Sequence, residues 1–325
     1  MIGWGVVATG GIANVVTSDM LLVDDTEVRA VASRDLGRAQ EFAAKYGIAK
    51  PYGDYRELIA DPGVDVVYIA SPHSGHYDVA KEALLAGKAV LCEKPITVTL
   101  AAAEELVAIA RDRGVFLMEA MWTRFNPLVR KLRQLVADGV IGDVRTVQAD
   151  LGAVFPTELT HRAWDPMLGG GSLLDVGIYP VAFTQMLLGE PAEIVTHGVV
   201  RDEVDAHASL LLRYPDGVSA LLYSSIIASC PSKATVVGTK GRIELGAPFF
   251  ATREMVLTIE GGDPVVETND LWGNGYTYQI VEVNERVRNG DKESPGVTLD
   301  DTLAVARILS TALAQLGVSY PDTVR

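Results

Sequence analysis

The sequence of 325 residues has little cysteine and little basic charge, and each shortage excludes a class of protein. Cys92 and Cys230 are too few for a disulfide framework or a thiolate metal site, and both lie in apolar segments typical of buried free thiols. Lysine and arginine number 28 against 42 aspartate and glutamate residues, for a net charge of −14. No basic run with interleaved aromatics offsets that charge. We therefore expect neither a metal site nor a nucleic-acid partner.

The sequence also lacks an export signal and a long apolar run. The residues from Met1 to Gly5 lead into a predicted strand without a basic segment or a cleavage site, and we find no run of membrane-spanning length. A cytoplasmic protein without a membrane partner is expected. The length and the 48% hydrophobic content predict two compact domains, each with its own core.

What the sequence does contain is a side-chain-poor turn between an apolar run that starts at Ile2 and a helix-like run that ends near Leu22. It matches the G-x-G-x-x-G/A fingerprint with alanine in place of the first glycine. Small residues let the main chain approach a pyrophosphate, and the amides of the following helix N-terminus face the anion. An ordinary tight turn is the alternative. The predicted cofactor contacts are Ala8, Thr9, Gly10, Gly11 and Ile12.

From Ile2 to Glu119, β-branched runs alternate with helical patterns. The predicted segments are Val28–Ala32, Leu36–Tyr46, Val64–Ala70, His76–Ala86, Ala89–Cys92, Ala101–Arg113 and Val115–Glu119. This alternation predicts an α/β fold with a doubly wound parallel sheet of the Rossmann type, in which ligands gather at the carboxyl ends of the strands. We assign residues 1–122 to this dinucleotide-binding domain.

The end of the second predicted strand indicates which dinucleotide is bound. An NAD-selective chain usually has an acid there, whereas this chain has Ser33 and Arg34, with Arg38 one helical turn further on. Two guanidinium groups suit a 2′-phosphate, so NADP is predicted and NAD is the less favoured cofactor. The alternatives are an inward rotation of Asp35 toward the ribose, or a solvated basic pair that binds Asp35 and Glu41.

Two further strand ends carry polar residues. After the third strand, a loop of Ser71, Pro72, His73 and His76 is predicted to lie near the nicotinamide, although helix capping or a surface position is the alternative for either histidine.

After the next strand come Glu93, Lys94 and Pro95. A lysine ammonium there can bind a substrate hydroxyl and lower the pKa of a neighbouring proton acceptor, while the proline fixes the turn. A surface Glu93–Lys94 pair is the alternative.

Beyond about residue 122 the pattern changes to one helix, Pro127–Asp138, and a series of strands. The predicted strands are Val144–Gly152, Ile194–Val200, Ala206–Tyr214, Val218–Ile226, Ala234–Val237, Gly241–Leu245 and Met255–Ile259. Their alternating polarity predicts an α+β domain over residues 123–325 with an open, mostly antiparallel sheet. A partner subunit could cover its outer face, which predicts a homodimer, although a helix layer would also serve.

A glycine-rich entry, Gly169–Gly171, precedes a predicted helix start that places Asp175 and Tyr179 on one helical face. A carboxylate and a phenol in that arrangement can hold a sugar hydroxyl and take its proton. The alternatives are a capping box between Ser172 and Asp175, and an ordinary half-buried aromatic at Tyr179.

Assembled, these motifs resemble the Gfo/Idh/MocA oxidoreductase family over nearly the whole chain, and the combination of Glu93-Lys94-Pro95 with Asp175-x-Gly177-x-Tyr179 is specific to it. The segments 32–39 and 119–125 are most similar to its branch of dimeric dihydrodiol dehydrogenases and NADP-dependent aldose dehydrogenases. The resemblance implies that Lys94 and Tyr179 form the acid/base pair, that Pro95 follows a cis peptide, and that Asp175 orients the substrate.

By the same resemblance, Arg34 and Arg38 match the 2′-phosphate contacts. The residues placed around the nicotinamide are His73, Glu93, Trp122 and Arg124. We expect the substrate to be selected by aromatic residues such as Phe155, Trp164 and Tyr278.

The activity expected is hydride transfer between NADP and a sugar or diol carbon, with Tyr179 exchanging the hydroxyl proton and Lys94 stabilising its phenolate. Tyr179 stands where inositol dehydrogenases of the family carry histidine, which favours aldoses or diols over inositol. A keto-sugar reductase and a non-catalytic sugar sensor are the alternatives.

Overall fold

The computed structural model describes residues 1–156 and 161–325, which divide into two compact units. The first contains Met1–Trp122, Trp272–Thr302 and Arg325, and the second contains Thr123–Leu271 and Leu303–Val324. The segment Trp272–Thr302, which the sequence places in the second domain, thus clusters with the first. Its anchors explain this, because the Trp4 indole donates to Asn284 at 3.0 Å and the Asp19 carboxylate accepts the Tyr276 amide at 2.9 Å.

The first unit is a parallel sheet flanked by helices. Its elements are β1 (Ile2–Val7), α1 (Gly11–Met20), β2 (Thr26–Ala32), α2 (Leu36–Tyr46), β3 (Lys50–Tyr52), α3 (Tyr55–Ala60), β4 (Val66–Ile69), α4 (His76–Leu85), β5 (Ala89–Cys92), α5 (Leu100–Arg113) and β6 (Leu117–Glu119). All pairings are parallel, in the order β3-β2-β1-β4-β5-β6. The predicted Rossmann sheet is therefore confirmed.

The central strands of this sheet are continuous apolar runs because helices cover both faces. Every residue of β4 and β5 is buried. Within β1, a Cβ at Gly5 would lie 2.6 Å from a methyl carbon of Leu58, so the glycine permits close packing of α3. The short β3 and α3 are absent from the predicted segments, since three and six residues give too little periodicity to read.

The second unit is an open sheet with helices. Its elements are α6 (Pro127–Ala137), β7 (Val144–Gly152), α7 (Ile178–Leu188), β8 (Glu193–Arg201), β9 (Val204–Arg213), β10 (Ser219–Ser225), β11 (Ala234–Gly238), β12 (Gly241–Leu245), β13 (Glu254–Ile259) and β14 (Val265–Thr268). Its eight described strands have the order β14-β13-β12-β11-β7-β10-β9-β8, and among them only β7 and β10 pair in parallel. The predicted open, mostly antiparallel sheet is confirmed. Near the carboxyl end, α8 (Thr277–Asn289) belongs to the first unit and α9 (Leu299–Leu316) follows it.

One face of this sheet is buried beneath α7, and the other exposes apolar side chains. Val195, Leu211 and Leu221 lie side by side across β8, β9 and β10, and they are 46%, 36% and 50% exposed. They line a shallow depression of about 480 Å³.

The segment Pro166–Leu188 meets the length and composition criterion for a membrane span, with a mean hydropathy of 1.2, although no such run is expected from the sequence. In the structure 78% of its most apolar stretch is buried inside the protein. Its apolar character is accounted for by its place in the core of the second unit.

Candidate active site

The turn between β1 and α1 leaves open space beside the backbone where the helix begins. Gly10 begins α1 without any side-chain cap, so the first amides of the helix are not capped by a side chain. A Cβ at Gly10 or Gly11 would meet no atom within 4 Å, which leaves open space beside the backbone. This combination of an uncapped helix N-terminus and open backbone fits a pyrophosphate.

Ala8 occupies the first fingerprint position with a φ of +85°. That left-handed conformation favours glycine and costs an L-residue roughly 1 kcal/mol. The alanine is therefore not only larger by a methyl group but also strained at this position.

The end of β2 holds the predicted 2′-phosphate site. The Asp35 carboxylate caps α2 by accepting the backbone N–H groups of Gly37 at 2.8 Å and Arg38 at 3.3 Å. Arg34 and Arg38 are exposed, and within the described ranges their side chains form no ion pair. An inward rotation of Asp35 would sacrifice the helix cap, and the solvated basic pair bound to Asp35 and Glu41 is not observed.

The loop after β4 is held from beneath by a histidine. His76 is fully buried, and its ring nitrogens lie 2.8 Å from the Pro95 carbonyl oxygen and 2.9 Å from that of Ser71. Burial lowers the pKa of His76 to about 4, so one nitrogen of a neutral ring donates. Because a neutral ring carries a single N–H, it donates to only one of these two carbonyls. His76 lies between the two loops and has no exposed surface for the cofactor contact expected from the sequence. His73, beside it, is 6% exposed.

The residues after β5 include Pro95, whose carbonyl oxygen faces the His76 ring. The Lys94–Pro95 peptide is cis, as the family resemblance implies, and Lys94 is half-buried. Glu93 is 6% exposed and accepts the Tyr68 hydroxyl at 2.7 Å. Burial raises the pKa of Glu93 to about 7, and the neighbouring ammonium of Lys94 opposes the rise. The burial of Glu93 excludes the alternative of a surface Glu93–Lys94 pair.

Trp122 is 3% exposed and stacks on Tyr276, with ring centroids 4.1 Å apart. Asp19 fixes that partner by accepting the backbone N–H groups of Tyr276 and Asn274, both at 2.9 Å. Sequence reasoning missed Tyr276 because it lies more than a hundred residues from Trp122 along the chain.

In the second unit, Arg124 is 6% exposed and donates to the carbonyl of Ala182 at 3.2 Å and to Gln185 Oε1 at 2.5 Å. The structure therefore holds this predicted cofactor residue against α7.

Asp175 and Tyr179 lie at the start of the α7 region, both buried. Asp175 belongs to a single π-helical turn, Leu173–Gly177, and α7 begins at the next residue. A nitrogen of Arg162 donates to both carboxylate oxygens of Asp175 at 3.1 Å, and the Tyr179 ring lies 5.0 Å from that of Phe250. Arg162 and Phe250 are thus site residues that sequence reasoning missed.

The capping box between Ser172 and Asp175 is not formed. Ser172 has helical dihedrals and caps nothing, and its hydroxyl donates to Asp205 at 2.6 Å instead. Asp175 is engaged by Arg162, so its carboxylate belongs to an ion pair and not to a helix cap.

The three aromatic residues expected to select the substrate lie in different settings. Trp164 is 2% exposed, donates to the Pro156 carbonyl at 2.7 Å and packs in a core cluster, so it offers almost no surface to a substrate. Phe155 packs on the edge of that cluster. Tyr278 belongs to the first unit, where its hydroxyl accepts the Trp272 amide at 3.1 Å.

No group of three histidine, cysteine, aspartate or glutamate side chains with metal-binding geometry occurs in the described part of the chain.

Comparison with known proteins places this geometry in context. Residues 2–121 match the model of an oxidoreductase family with an NAD-binding Rossmann fold (GFO_IDH_MocA), and residues 129–244 match the GFO/IDH/MocA C-terminal domain. The chain is 42% identical over 334 aligned positions to trans-1,2-dihydrobenzene-1,2-diol dehydrogenase of Mus musculus, with 99% of each chain covered.

Two solved structures also match over 97% of each chain. One is the aldose-aldose oxidoreductase of Caulobacter crescentus in complex with glycerol, with 27% identity and a TM-score of 0.89. The other is KijD10, a 3-ketoreductase of Actinomadura kijaniata in complex with NADP and TDP-benzene, with 27% identity and a TM-score of 0.85.

Proposed function

Because this chain belongs to the Gfo/Idh/MocA oxidoreductase family, we propose that it transfers a hydride between NADP and the hydroxyl or carbonyl carbon of an aldose or a trans-dihydrodiol. The observation that carries the proposal is the 42% identity, over the full length, to an enzyme named for a trans-dihydrodiol. The nicotinamide ring, when bound, supplies the hydride acceptor or donor.

The residues of the first unit fit the dinucleotide. The open backbone at Gly10 and Gly11 would take the pyrophosphate at the helix N-terminus. Arg34 and Arg38 support NADP over NAD, because both guanidinium groups are exposed at the end of β2 while Asp35 is occupied as a helix cap. We assign the 2′-phosphate to this arginine pair.

Proton transfer is assigned to Tyr179. A phenol with an ordinary pKa near 10 is a poor base at neutral pH, so the proposal requires a cation beside it, and Lys94 is the candidate. In oxidation the substrate hydroxyl gives its proton to Tyr179 while a hydride leaves the carbon that bears this hydroxyl. In reduction the proton returns to the oxygen and the hydride to the carbon. Lys94 and Tyr179 must therefore reach the same substrate oxygen.

Asp175 and Phe250 are assigned to substrate binding. Arg162 holds the Asp175 carboxylate, which can also accept a hydrogen bond from a second substrate hydroxyl. Phe250 presents an aromatic ring beside Tyr179, and such a ring suits the C–H face of a pyranose or the ring of a cyclic diol. A six-membered ring with two neighbouring hydroxyls meets these requirements: one hydroxyl binds Tyr179, the second binds Asp175, and the ring packs on Phe250.

A keto sugar is the second candidate substrate, supported by the match to a 3-ketoreductase over 97% of the chain. The hydride and proton transfers are the same for a keto sugar, and the substrate differs only in what is attached to the reacting ring. Reduction of keto sugars that exceeds oxidation of aldoses and diols would favour it.

We also propose a homodimer through the outer face of the eight-stranded sheet. The exposed row of Val195, Leu211 and Leu221 is the kind of contiguous apolar surface that a second subunit covers. Leu221→Asp should convert the dimer to a monomer in sedimentation equilibrium, and a wild-type monomer would contradict the proposal.

The function is tested by following reduced nicotinamide in a panel of substrates. Wild-type protein is mixed with NADP or NAD and with trans-1,2-dihydrobenzene-1,2-diol, xylose, glucose or myo-inositol. We expect turnover with NADP on the diol or an aldose and little on inositol. No turnover with any member, in either direction, would overturn the proposal.

A further inference from the structure

A second carboxylate lies beneath the π turn that carries Asp175. Asp205, at the start of β9, is fully buried. Its Oδ2 atom accepts the Leu173 backbone N–H at 2.7 Å and the Ser172 hydroxyl at 2.6 Å. The first N–H of the π turn is therefore capped by Asp205, which lies in β9. Ser172, the residue next to the turn, caps nothing.

The turn is closely fitted around this carboxylate. Gly171 has a φ of +113°, and a Cβ there would lie 2.3 Å from Asp205 Oδ1. On the other side, Ser224 of β10 lies 3.0 Å from the Ser172 hydroxyl, and a Cβ at Gly177 would lie 2.9 Å from the Ser224 hydroxyl. A larger residue at Gly171, before the turn, or at Gly177, at its end, would therefore displace the side chain of Asp205 or of Ser224.

This arrangement costs stability. The Oδ1 atom of Asp205 is buried without a hydrogen-bond partner among the described residues, and burial raises the pKa of the carboxyl to about 6. The titratable group that faces it is the Tyr320 phenol, which donates to the Gly170 carbonyl at 2.6 Å and has a pKa raised by burial. A carboxylate kept in so unfavourable a place points to a role other than packing.

We infer that Asp205 is a positioning residue, which by capping the π turn holds Asp175 and Tyr179 in the orientation that the reaction needs. The negative carboxylate faces the positive end of the helical segment, and that attraction orients the turn even though burial of the charge lowers the stability of the fold. The inference rests on the proposed function, since it assigns Asp175 and Tyr179 to substrate and proton.

The test compares Asp205→Asn with wild type across pH. The amide keeps the shape and an acceptor oxygen but has no charge, so the variant resembles wild type with Asp205 protonated. At about pH 8 we expect kcat to fall roughly 10-fold, and near pH 5 the two proteins should differ by less than about twofold. NADPH affinity should not change. If the ratio of wild-type kcat to variant kcat stays constant between these pH values, the inference is overturned. A purely structural defect has no reason to follow the titration of Asp205.

Asp61→Asn serves as the matched control. Asp61 is also a buried carboxylate that accepts a turn amide, that of Gly63 at 2.9 Å, but it precedes β4 at the amino end of the parallel sheet, away from the strand ends that bind ligands. Its kcat should equal that of wild type at both pH values even if its stability falls.

Hydrogen exchange supplies a readout that does not need a substrate. In Asp205→Ala the amides from Leu173 to Gly177 should exchange at least about 10-fold faster, because their cap is gone. Unchanged exchange would contradict the inference. Wild-type protein inactive on every sugar and diol overturns the proposed function instead, so the two failures are distinguishable.

Discussion

The predicted cofactor residues of the first unit and the predicted substrate residues of the second unit are held in place by different means. In the first unit, the predicted cofactor residues lie on turns that directly follow strands of a parallel sheet, such as Ala8–Ile12 after β1 and Glu93–Pro95 after β5. In the second, Asp175 lies on a π turn that Asp205 caps from a different strand. The cofactor residues depend on local chain geometry and the substrate residues on long-range contacts, so the two groups should respond to different substitutions.

The largest expected effect is a loss of catalysis without a loss of cofactor. Lys94→Ala should lower kcat by about 1,000-fold because Tyr179 loses the cation that makes it a usable base. The Kd for NADPH, measured by fluorescence titration, should change by less than about threefold. The control is Lys240→Ala, which removes an exposed lysine from the turn between β11 and β12. Turnover that survives in Lys94→Ala contradicts the mechanism.

Glu93 in the first unit and Asp205 in the second are buried carboxyls with a raised pKa, about 7 for Glu93 and about 6 for Asp205. A group whose pKa is raised on folding contributes stability below its unfolded-state pKa. That contribution is lost as the pH rises through its folded-state pKa. Neither Glu93→Gln nor Asp205→Asn can lose this contribution. The difference in free energy of unfolding, variant minus wild type, should therefore rise by about 3 kcal/mol between about pH 4 and pH 8. Urea denaturation at each pH measures it, and parallel stability curves would show that neither carboxyl titrates as described.

Cofactor selectivity should change through the first unit alone. Arg34→Ala should raise the Kd for NADPH by about 30-fold, since a charge-assisted hydrogen bond is lost, and leave the Kd for NADH nearly unchanged. Arg133→Ala, an exposed arginine of α6, is the control. Equal weakening of both nucleotides would place the 2′-phosphate elsewhere.

The smallest effect concerns the first fingerprint position. Ala8→Gly relieves the left-handed backbone but makes the unfolded chain more flexible, so stability should rise by less than about 1 kcal/mol. Thermal unfolding monitors the change. A loss of stability would indicate that the alanine methyl group makes contacts that outweigh its strain.

The same contrast explains what the sequence could predict. Strands β1, β2, β4 and β5 and the turns after them follow from patterns of a few adjacent residues, so the Rossmann sheet and the Lys94 loop were predictable. The capping role of Asp35 is equally local, because it accepts N–H groups from residues two and three positions further on.

The surroundings of the substrate residues were less predictable because their contacts join residues far apart in the chain. Asp205 lies 33 residues from Ser172, and the Tyr179 ring meets Phe250 from another part of the unit. The spacing of Asp175 and Tyr179 predicts that both lie on one face of an ordinary helix. In the structure Asp175 lies in a π turn that ends two residues before Tyr179. Trp164 was selected as an aromatic residue near the site, yet its burial became visible only once its core partners were in place.

The proposed function requires that Lys94 and Tyr179 act on the same substrate oxygen. A double-mutant cycle of Lys94→Ala and Tyr179→Phe, read as kcat for the reduction of NADP by the preferred substrate, tests it most directly. If the two residues work as a pair, the double variant should be no more than about threefold slower than the slower single variant. Losses that multiply would show that the two residues act independently and would contradict the account.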